Sequence, residues 1–394
     1  MNFLVLSVTA GEGHNSTAKA IKAELELTGN TCSVVDTFDY VSPELAKIIS
    51  EGYLLVTEKA KYAYKVGYSL AEKRRPNDRS LSIFKYAMSD DLAKFINAEH
   101  FDVIVFTHPF AGILLDVMKT KHKISNRTVG ILTDFTFHPY WEDCTHNDYV
   151  ITPDKLLNPQ GIRKGFKKEQ ILPLGIPIKP SFSEKLSKED AREKLGLNKE
   201  LATFLLMGGS MGYGNIAENV KKIDMLDIDR DFQLICVCGN NADAKAEVDK
   251  IAAESRHKIL VTGFVNYIST IMDASDCIIT KPGGLTTSES LVKGLPMIII
   301  NPIPGQEERN TQFLTNTGCA MSATKTCPLD ECIYQLLMSE TRIETMTRSI
   351  SEIAKPNSTR DMCEFIINLS HTPIISEGSE AIQNDEDGRI YFDV

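Results

Sequence analysis

The segment that decides the fold is FLVLSVTAGEGHNSTAKA, residues 3–20. Its first part, Phe3 to Val8, is a short apolar run of the kind that is buried in a parallel sheet. A glycine-rich turn follows, and Ser16 to Leu27 then has the spacing of an amphipathic helix. His14 lies at the junction, where common nucleotide-binding loops carry glycine or lysine. The segment is therefore a strand–turn–helix unit with a basic side chain at its turn.

The same strand–turn–helix order recurs in two series along the chain. Strands are predicted at 3–8, 32–36, 102–106, 128–133 and 148–151, then at 202–207, 232–238, 258–261, 276–280 and 296–300. Each series begins with a glycine-rich turn, at 11–13 and 208–214, and a proline-rich linker at 172–180 separates them. This pattern predicts an α/β fold of two doubly wound, Rossmann-like domains. Because ligands bind beyond the carboxyl ends of such strands, we expect the site in the cleft between the domains.

Length and composition agree with this reading. The chain has 394 residues, enough for two domains, and 42% apolar with 24% charged residues is ordinary globular usage. Nine cysteines are scattered without a CxxC pair, which favours a reducing cytoplasm. No apolar run reaches the ~18 residues of a membrane span, and the N-terminus lacks signal-peptide features. The net charge of −10 argues against nucleic acid as a partner.

The most informative segment of the second half is TKPGGLTTSESLVKGLP, residues 280–296. A predicted strand ends in Pro-Gly-Gly, and a helix begins near Thr286. Gly283 and Gly284 allow the backbone to approach a ligand closely. Free N–H groups at the start of the helix favour a phosphate. Glu289, one turn into the helix, offers acceptor oxygens that suit the hydroxyls of a ribose.

A second polar block, NPIPGQEERN, covers residues 301–310 and follows the next strand. In order and spacing, KPGG-x-T and PGQE-x-x-N resemble the donor half of family 28 glycosyltransferases of GT-B fold. The resemblance is to the monogalactosyldiacylglycerol synthase and processive diacylglycerol β-glucosyltransferase type, more distantly related to MurG.

This resemblance implies a UDP-sugar site. It implies that the diphosphate is held by Gly283, Gly284, Leu285 and Thr286, the ribose by Glu289, and the hexose by Gln306, Glu307 and Asn310. The turn Gly263, Phe264 and Val265 resembles the uracil-binding turn of the family, and Gly209 and Ser210 resemble its loop near the phosphates. Gly13 is placed in the same donor site.

The stretch Gly11 to Ala18 resembles the G-x-G-H-x-x-A-A motif of the same family, with Thr17 at the first alanine. It is no dinucleotide loop, since Ser16 replaces the third glycine of GxGxxG, and it lacks the Gly-Lys pair of a P-loop. We expect His14 to point into the cleft and to take a proton from an acceptor hydroxyl.

A further block, TDFTFHPYW at 133–141, resembles the TDF-x-x-H-x-x-W motif of the family. Asp134 is predicted either to orient His14 or to be the base itself. His138 and Trp141 are expected to line the acceptor mouth, with His108 as a further lining residue.

The implied reaction is a single displacement with inversion, by which a UDP-α-sugar gives a β-glycoside. The leaving diphosphate would be stabilised by N–H groups and hydroxyls. The acidic pairs Asp90-Asp91 and Asp229-Arg-Asp231 lack the setting of a metal-binding DxD motif, so no essential metal or other cofactor is predicted.

A basic stretch at 59–85 contains eight lysines and arginines against two acids, interleaved with tyrosines and aliphatic residues. Such a surface suits anionic headgroups, although a solvated helix face is the plainer reading. We expect a cytoplasmic protein, peripheral on the inner face of the plasma membrane.

The expected domains are an acceptor and membrane-binding domain at 1–175 and a UDP-sugar domain at 176–356. A helix at 357–369 is expected to return to the first domain, and 370–394 to form an acidic, flexible tail.

The leading hypothesis is transfer of a hexose, glucose favoured over galactose, to diacylglycerol or a glycosyl-diacylglycerol. Transfer to another lipid acceptor keeps the same chemistry. An isomerase resembling UDP-GlcNAc 2-epimerase and a non-catalytic UDP-sugar sensor are the alternatives from other classes.

Overall fold

The structure, a computed structural model, describes residues 1–9, 12–41, 82–209 and 215–371. Two parallel sheets of six strands each are found in this part of the chain. We call the halves built on them the first lobe and the second lobe. The strands of the first lobe are β1 Asn2–Ser7, β2 Thr31–Asp36, β3 Val103–Phe106, β4 Arg127–Ile131, β5 Tyr149–Ile151 and β6 Ile171–Leu172. Those of the second are β7 Ala202–Met207, β8 Phe232–Val237, β9 Lys258–Thr262, β10 Cys277–Thr280, β11 Met297–Ile299 and β12 Ala320–Ser322.

Helices cover both faces of each sheet. In the first lobe they are α1 Glu12–Leu27, α2 Thr37–Val41, α3 Ser82–Glu99, α4 Pro109–Thr120 and α5 Asn158–Arg163. In the second they are α6 Lys188–Lys194, α7 Ile216–Asp224, α8 Ala242–Glu254, α9 Ile268–Ala274, α10 Gly284–Lys293, α11 Gln306–Asn316, α12 Leu329–Leu337 and α13 Glu340–Ile353. The last described helix is α14 Ser358–His371. Among these, every helix falls short of the length and hydropathy that a membrane crossing requires.

The strand orders are those of doubly wound sheets. The first sheet runs β2-β1-β3-β4-β5-β6 and the second β12-β11-β10-β7-β8-β9. In β1, Phe3 and Val5 pack against α1 and α14, whereas Leu4 and Leu6 pack on the opposite face with α3 and α4. Because both faces are buried, these strands are apolar throughout, which is what made them recognisable in the sequence. The predicted α/β fold of two Rossmann-like lobes is confirmed.

Two strands were not predicted. β6 has two residues and β12 has three, and each lies at one edge of its sheet. Runs this short carry no periodicity that separates them from loops. The sequence reading therefore began the interlobe linker at Leu172, which is the last residue of β6.

The helix α14 packs on the first sheet although it follows the second lobe in sequence. Its Met362, Cys363 and Ile366 belong to the same buried cluster as Phe3 and Ile21. The chain thus crosses twice between the lobes, once at the linker and once before α14.

Three sequence-based predictions concern residues outside the described ranges. They are Ser210, nearly all of the acidic tail at 370–394, and most of the basic stretch at 59–85, of which only 82–85 enter α3.

Candidate active site

His14 lies in the first turn of α1, directly beyond the end of β1, and is half-buried. Its Nδ1 atom is 2.7 Å from the carbonyl oxygen of Thr107, the residue that follows β3. Gly13 precedes it in open space, where even a Cβ would meet no atom within 4 Å. The adjacent carboxyl ends of β1 and β3 therefore bring the imidazole and its partner together at one sheet edge.

The Thr107 contact determines the tautomer of His14. A carbonyl oxygen only accepts, so Nδ1 must carry the proton and donate it. Nε2 is then left with a free lone pair. Burial lowers the pKa of His14 to about 4, against the raising effect of the Thr107 hydrogen bond. The ring is therefore neutral at physiological pH and is able to accept a proton at Nε2.

His108 lies beside His14, His138 lies near His108, and both have the opposite tautomer to His14. The ring of His108 meets that of His14 edge-on, with centroids 4.9 Å apart. Nδ1 of His108 accepts from the backbone N–H of Phe110 at 3.1 Å, and Nδ1 of His138 accepts from that of Tyr140 at 3.3 Å. In their neutral forms both rings thus carry their proton on Nε2. Burial, with His14 and His138 nearby, holds the pKa of His108 well below its usual value.

Asp134 follows β4 and faces the second lobe. Asn310 Nδ2 donates to its Oδ1 at 2.8 Å, and Gln306 Nε2 donates to its Oδ2. Burial raises the pKa of Asp134 to about 7, although both amide hydrogen bonds lower it. The partner of the His14 ring is therefore Thr107, and the partners of Asp134 are the two amides.

Asn310 is fully buried, with 0% of its surface exposed. Its Nδ2 donates to Asp134 and to the Pro282 carbonyl at 2.9 Å, and its Oδ1 accepts from Phe135 N at 2.9 Å. The prediction that Asn310 reads the hexose is therefore wrong: the side chain is closed off from the cleft and both of its N–H donors are used.

We call the contact between the lobes at this point the interlobe seam; it comprises Thr133, Asp134, Phe135, Pro282, Gly284, Gln306 and Asn310. Phe135 comes from the first lobe, yet it is 3% exposed and belongs to the apolar core of the second. Its ring lies 5.1 Å from that of Phe313 on α11. Gly284 approaches so closely that a Cβ there would lie 1.8 Å from the Thr133 carbonyl oxygen. The lobes are thus joined by backbone contact, a buried ring and a polar network.

The predicted diphosphate residues lie at the start of α10. Gly283 is the N-cap and lies in open space, Thr286 is half-buried, and Leu285 packs in part on the core of the second lobe. One turn further on, burial raises the pKa of Glu289 to about 8, with Lys179 acting in the opposite direction. The start of α10 and its next turn thus bring backbone N–H groups and a buried carboxyl group together on one helix.

Two further loops follow strands of the same sheet. After β9, Phe264 is 66% exposed, so it is no core residue, while the neighbouring Val265 packs against the core. Gly263 precedes them, and Gly209, at the end of β7, has a φ of +74° and open space around it. These four residues lie beyond the carboxyl ends of β9 and β7.

Glu307 has internal partners in the structure. Its Oε2 accepts from the backbone N–H of Ile303 at 2.6 Å, and its Oε1 lies 3.6 Å from Lys281 Nζ. These contacts tie the PGQE turn to the KPGG turn. Gln306 is half-buried, with Nε2 directed to Asp134, so its Oε1 is the amide atom that remains for a ligand.

Two sequence families match the chain in succession. The family described as monogalactosyldiacylglycerol synthase matches residues 14–178, and the glycosyltransferase family 28 C-terminal domain matches residues 203–360. The first match covers His14 and Asp134, and the second covers Gly284 and Asn310. This chain is a family 28 glycosyltransferase. It is therefore an enzyme, a hexosyltransferase.

Curated relatives agree along the full length. The protein named processive diacylglycerol beta-glucosyltransferase of Bacillus pumilus is 27% identical over 369 residues, covering 93% of this chain and 94% of its own. The protein of the same name from Bacillus subtilis is 27% identical, covering 93% and 95%. Among solved structures, MurG of Acinetobacter baumannii has a TM-score of 0.63 at 14% identity and covers 93% and 99%. That likeness supports the GT-B fold.

One residue that was predicted to line the acceptor site is buried in the core instead. Trp141 is 2% exposed and packs between Phe106, Phe137 and Phe166, with ring centroids 5.7 to 6.4 Å away. The prediction that it lines the acceptor mouth is wrong. Its indole fills the core of the first lobe, whereas His138 is half-buried.

The sequence reading missed the two residues that organise the glycosyltransferase site. Thr107 acts through its backbone carbonyl, which carries no side-chain signal. Phe135 was visible inside the TDF block, and a phenylalanine directly after a strand-end aspartate was the available clue. Within the described residues, no cluster of three histidine, cysteine or acidic side chains has the arrangement of a metal site.

Proposed function

We propose that this enzyme transfers a hexose from a UDP-sugar to diacylglycerol, or to a glycosyl-diacylglycerol, with inversion at C1. Glucose is the favoured donor sugar, because the full-length relatives at 27% identity are named processive diacylglycerol beta-glucosyltransferases. The observation that carries the proposal is the tautomer of His14, which leaves a proton-accepting Nε2 at the first-lobe edge of the cleft.

In the proposed reaction, His14 Nε2 takes the proton of the acceptor hydroxyl as the oxygen attacks C1. The C1–oxygen bond to the β-phosphate breaks, and UDP leaves with the electron pair. N–H groups at the start of α10, with Thr286, stabilise the charge that develops on the phosphate. Glu289 accepts hydrogen bonds from the ribose, Phe264 and its neighbours hold the uracil, and Gln306 reads the sugar. His108 and His138 offer N–H donors to the acceptor.

We further propose that residues 1–175 hold the acceptor and meet the membrane, that 176–356 bind the donor, and that 357–369 close onto the first domain. Lys73, Arg74 and Arg75, which lie outside the described residues, are the proposed lipid contacts. Reversing these three charges should lower co-sedimentation with anionic vesicles. Equal co-sedimentation of the variant and the wild type would remove the membrane role of this stretch.

The test of the reaction uses labelled UDP-glucose and UDP-galactose, each with and without vesicles that contain diacylglycerol. We expect lipid-dependent transfer, faster from UDP-glucose, with a β-anomeric product by NMR. Release of an epimerised nucleotide sugar without lipid would support the isomerase alternative. Binding of UDP with no turnover on any lipid would support the sensor.

A further inference from the structure

Asn310 lies on the second lobe, yet most of its contacts serve the first. We infer that Asn310 is a positioning residue that fastens the carboxylate of Asp134 into the second lobe, so that Asp134 sets which atom of Gln306 faces the sugar. The inference deepens the proposed function and rests on it for the identity of the sugar donor.

The hydrogen-bond pattern leaves the Asn310 amide one orientation. The backbone N–H of Phe135 only donates, so the atom 2.9 Å from it is the amide oxygen. The Pro282 carbonyl only accepts, so the atom 2.9 Å from it is the nitrogen. The second N–H of that nitrogen is directed at Asp134 Oδ1, 2.8 Å away. Every hydrogen-bonding atom of this fully buried side chain therefore acts within the interlobe seam.

Asp134, held by Asn310, in turn orients the side-chain amide of Gln306. Asp134 Oδ1 is occupied by Asn310, and Oδ2 accepts from Gln306 Nε2. Above its pKa, Asp134 is ionised and cannot donate, so it selects the nitrogen end of the Gln306 amide and turns Oε1 away from itself. Gln306 then offers an acceptor to a sugar hydroxyl. The reading of the sugar thus depends on a carboxylate from the opposite lobe, and the site is complete only when the seam is joined.

The decisive variant is Asn310→Asp, which keeps the shape of the side chain but replaces the N–H donor by a second carboxylate facing Asp134. Two facing carboxylates share a proton and raise the pKa of the pair. A carboxyl group whose folded-state pKa is raised stabilises the fold at low pH and loses that contribution as pH rises. The melting temperature of the variant should therefore lie further below that of the wild type at pH 8.5 than at pH 5.5.

Further variants distinguish a positioning role of Asn310 from a packing role. Asn310→Ala removes the amide without adding a charge, so its loss of melting temperature should be similar at both pH values. Asn316→Ala is the matched control, because Asn316 is an exposed residue of the same helix. It should melt like the wild type at both pH values. The double variant Asp134→Asn with Asn310→Asp restores one amide facing one carboxylate, and it should recover part of the loss at pH 8.5.

Calorimetric titration supplies the ligand readout. Asn310→Asp should weaken binding of UDP-glucose by at least about tenfold at pH 8.5, while UDP, which lacks the sugar, binds as to the wild type. Equal loss of melting temperature at both pH values, or a double variant no more stable than Asn310→Asp alone, would overturn the inference. If the melting data hold and no lipid is glycosylated, the seam stands and the proposed function fails.

Discussion

The close approach of Gly284 to Thr133 makes Gly284→Ala a sharp test of the interlobe seam. A Cβ at position 284 would lie 1.8 Å from the Thr133 carbonyl oxygen, whereas ordinary contact begins at 3.4 Å, which exceeds 1.8 Å by 1.6 Å. The neighbouring atoms are backbone, so no rotamer change relieves the clash. The lobes must therefore separate locally by about 1.6 Å.

This separation has a calculable cost. Lengthening by 1.6 Å would take the bonds from Asn310 to Asp134 and from Phe135 to Asn310, now 2.8 and 2.9 Å, beyond hydrogen-bonding range. One of them involves a charged group and one is neutral, and together they contribute about 2–4 kcal/mol. For a folding unit the size of one lobe, that loss lowers the melting temperature by about 5–15 °C. A misplacement of about 1 Å at the reacting groups also costs about 100-fold in kcat.

The matched control is the preceding residue. Gly283 has φ −69° and ψ 142°, which any residue adopts, and a Cβ there would meet no atom within 4 Å. Gly283→Ala should leave the free energy of unfolding within about 0.5 kcal/mol of the wild type. Scanning calorimetry of the three proteins makes the comparison. A Gly284→Ala protein that melts like Gly283→Ala and keeps the wild-type kcat would refute the description of the seam.

Three further predictions concern the titrating groups. His14→Gln should lower kcat by about 10²–10⁴-fold by removing the base, with the Kd for UDP unchanged in calorimetric titration; near-normal kcat would exclude His14 as the base. Because the pKa of Glu289 is about 8, UDP should bind more tightly at pH 9 than at pH 6.5, and Glu289→Gln should abolish that difference; a difference that persists would assign it to another group. Asp134 has a folded-state pKa of about 7, above its ordinary value of 3.8, so its burial destabilises the fold as pH rises towards 7. The melting temperature of Asp134→Asn relative to the wild type should therefore increase from pH 5 to pH 8, and a constant offset would contradict the raised pKa.

The fold was largely accessible from the sequence, and the reason is visible in β1. Its residues alternate between two buried faces, so the whole run is apolar and cannot be mistaken for an exposed strand. The two-residue strand β6 shows the limit, since its pairing with β5 is a tertiary property with no local signature. Strand pairing of this kind depends on where the rest of the sheet ends.

The sequence predicted which residues form the site, but it did not predict the role of each residue. His14 and Asp134 were both recognised as polar residues beyond strand ends, yet the sequence could not say which group each would contact. Trp141 and Asn310 were assigned to ligands because they lie in blocks that resemble motifs of the family. Burial decided otherwise, and burial depends on packing between segments far apart in the chain, such as the 175 residues that separate Phe135 from Asn310.

The placement of Phe135 explains why one short loop can serve both lobes. Its ring is fixed in the apolar core of the second lobe, so the two residues before it are carried to the lobe boundary. Asp134 there meets Gln306 and Asn310, while the Thr133 hydroxyl lies 3.4 Å from His14 Nδ1. A single apolar anchor thus sets the position of His14 relative to the Gln306 amide. In the proposed transfer from a donor on the second lobe to an acceptor on the first, this loop sets the geometry.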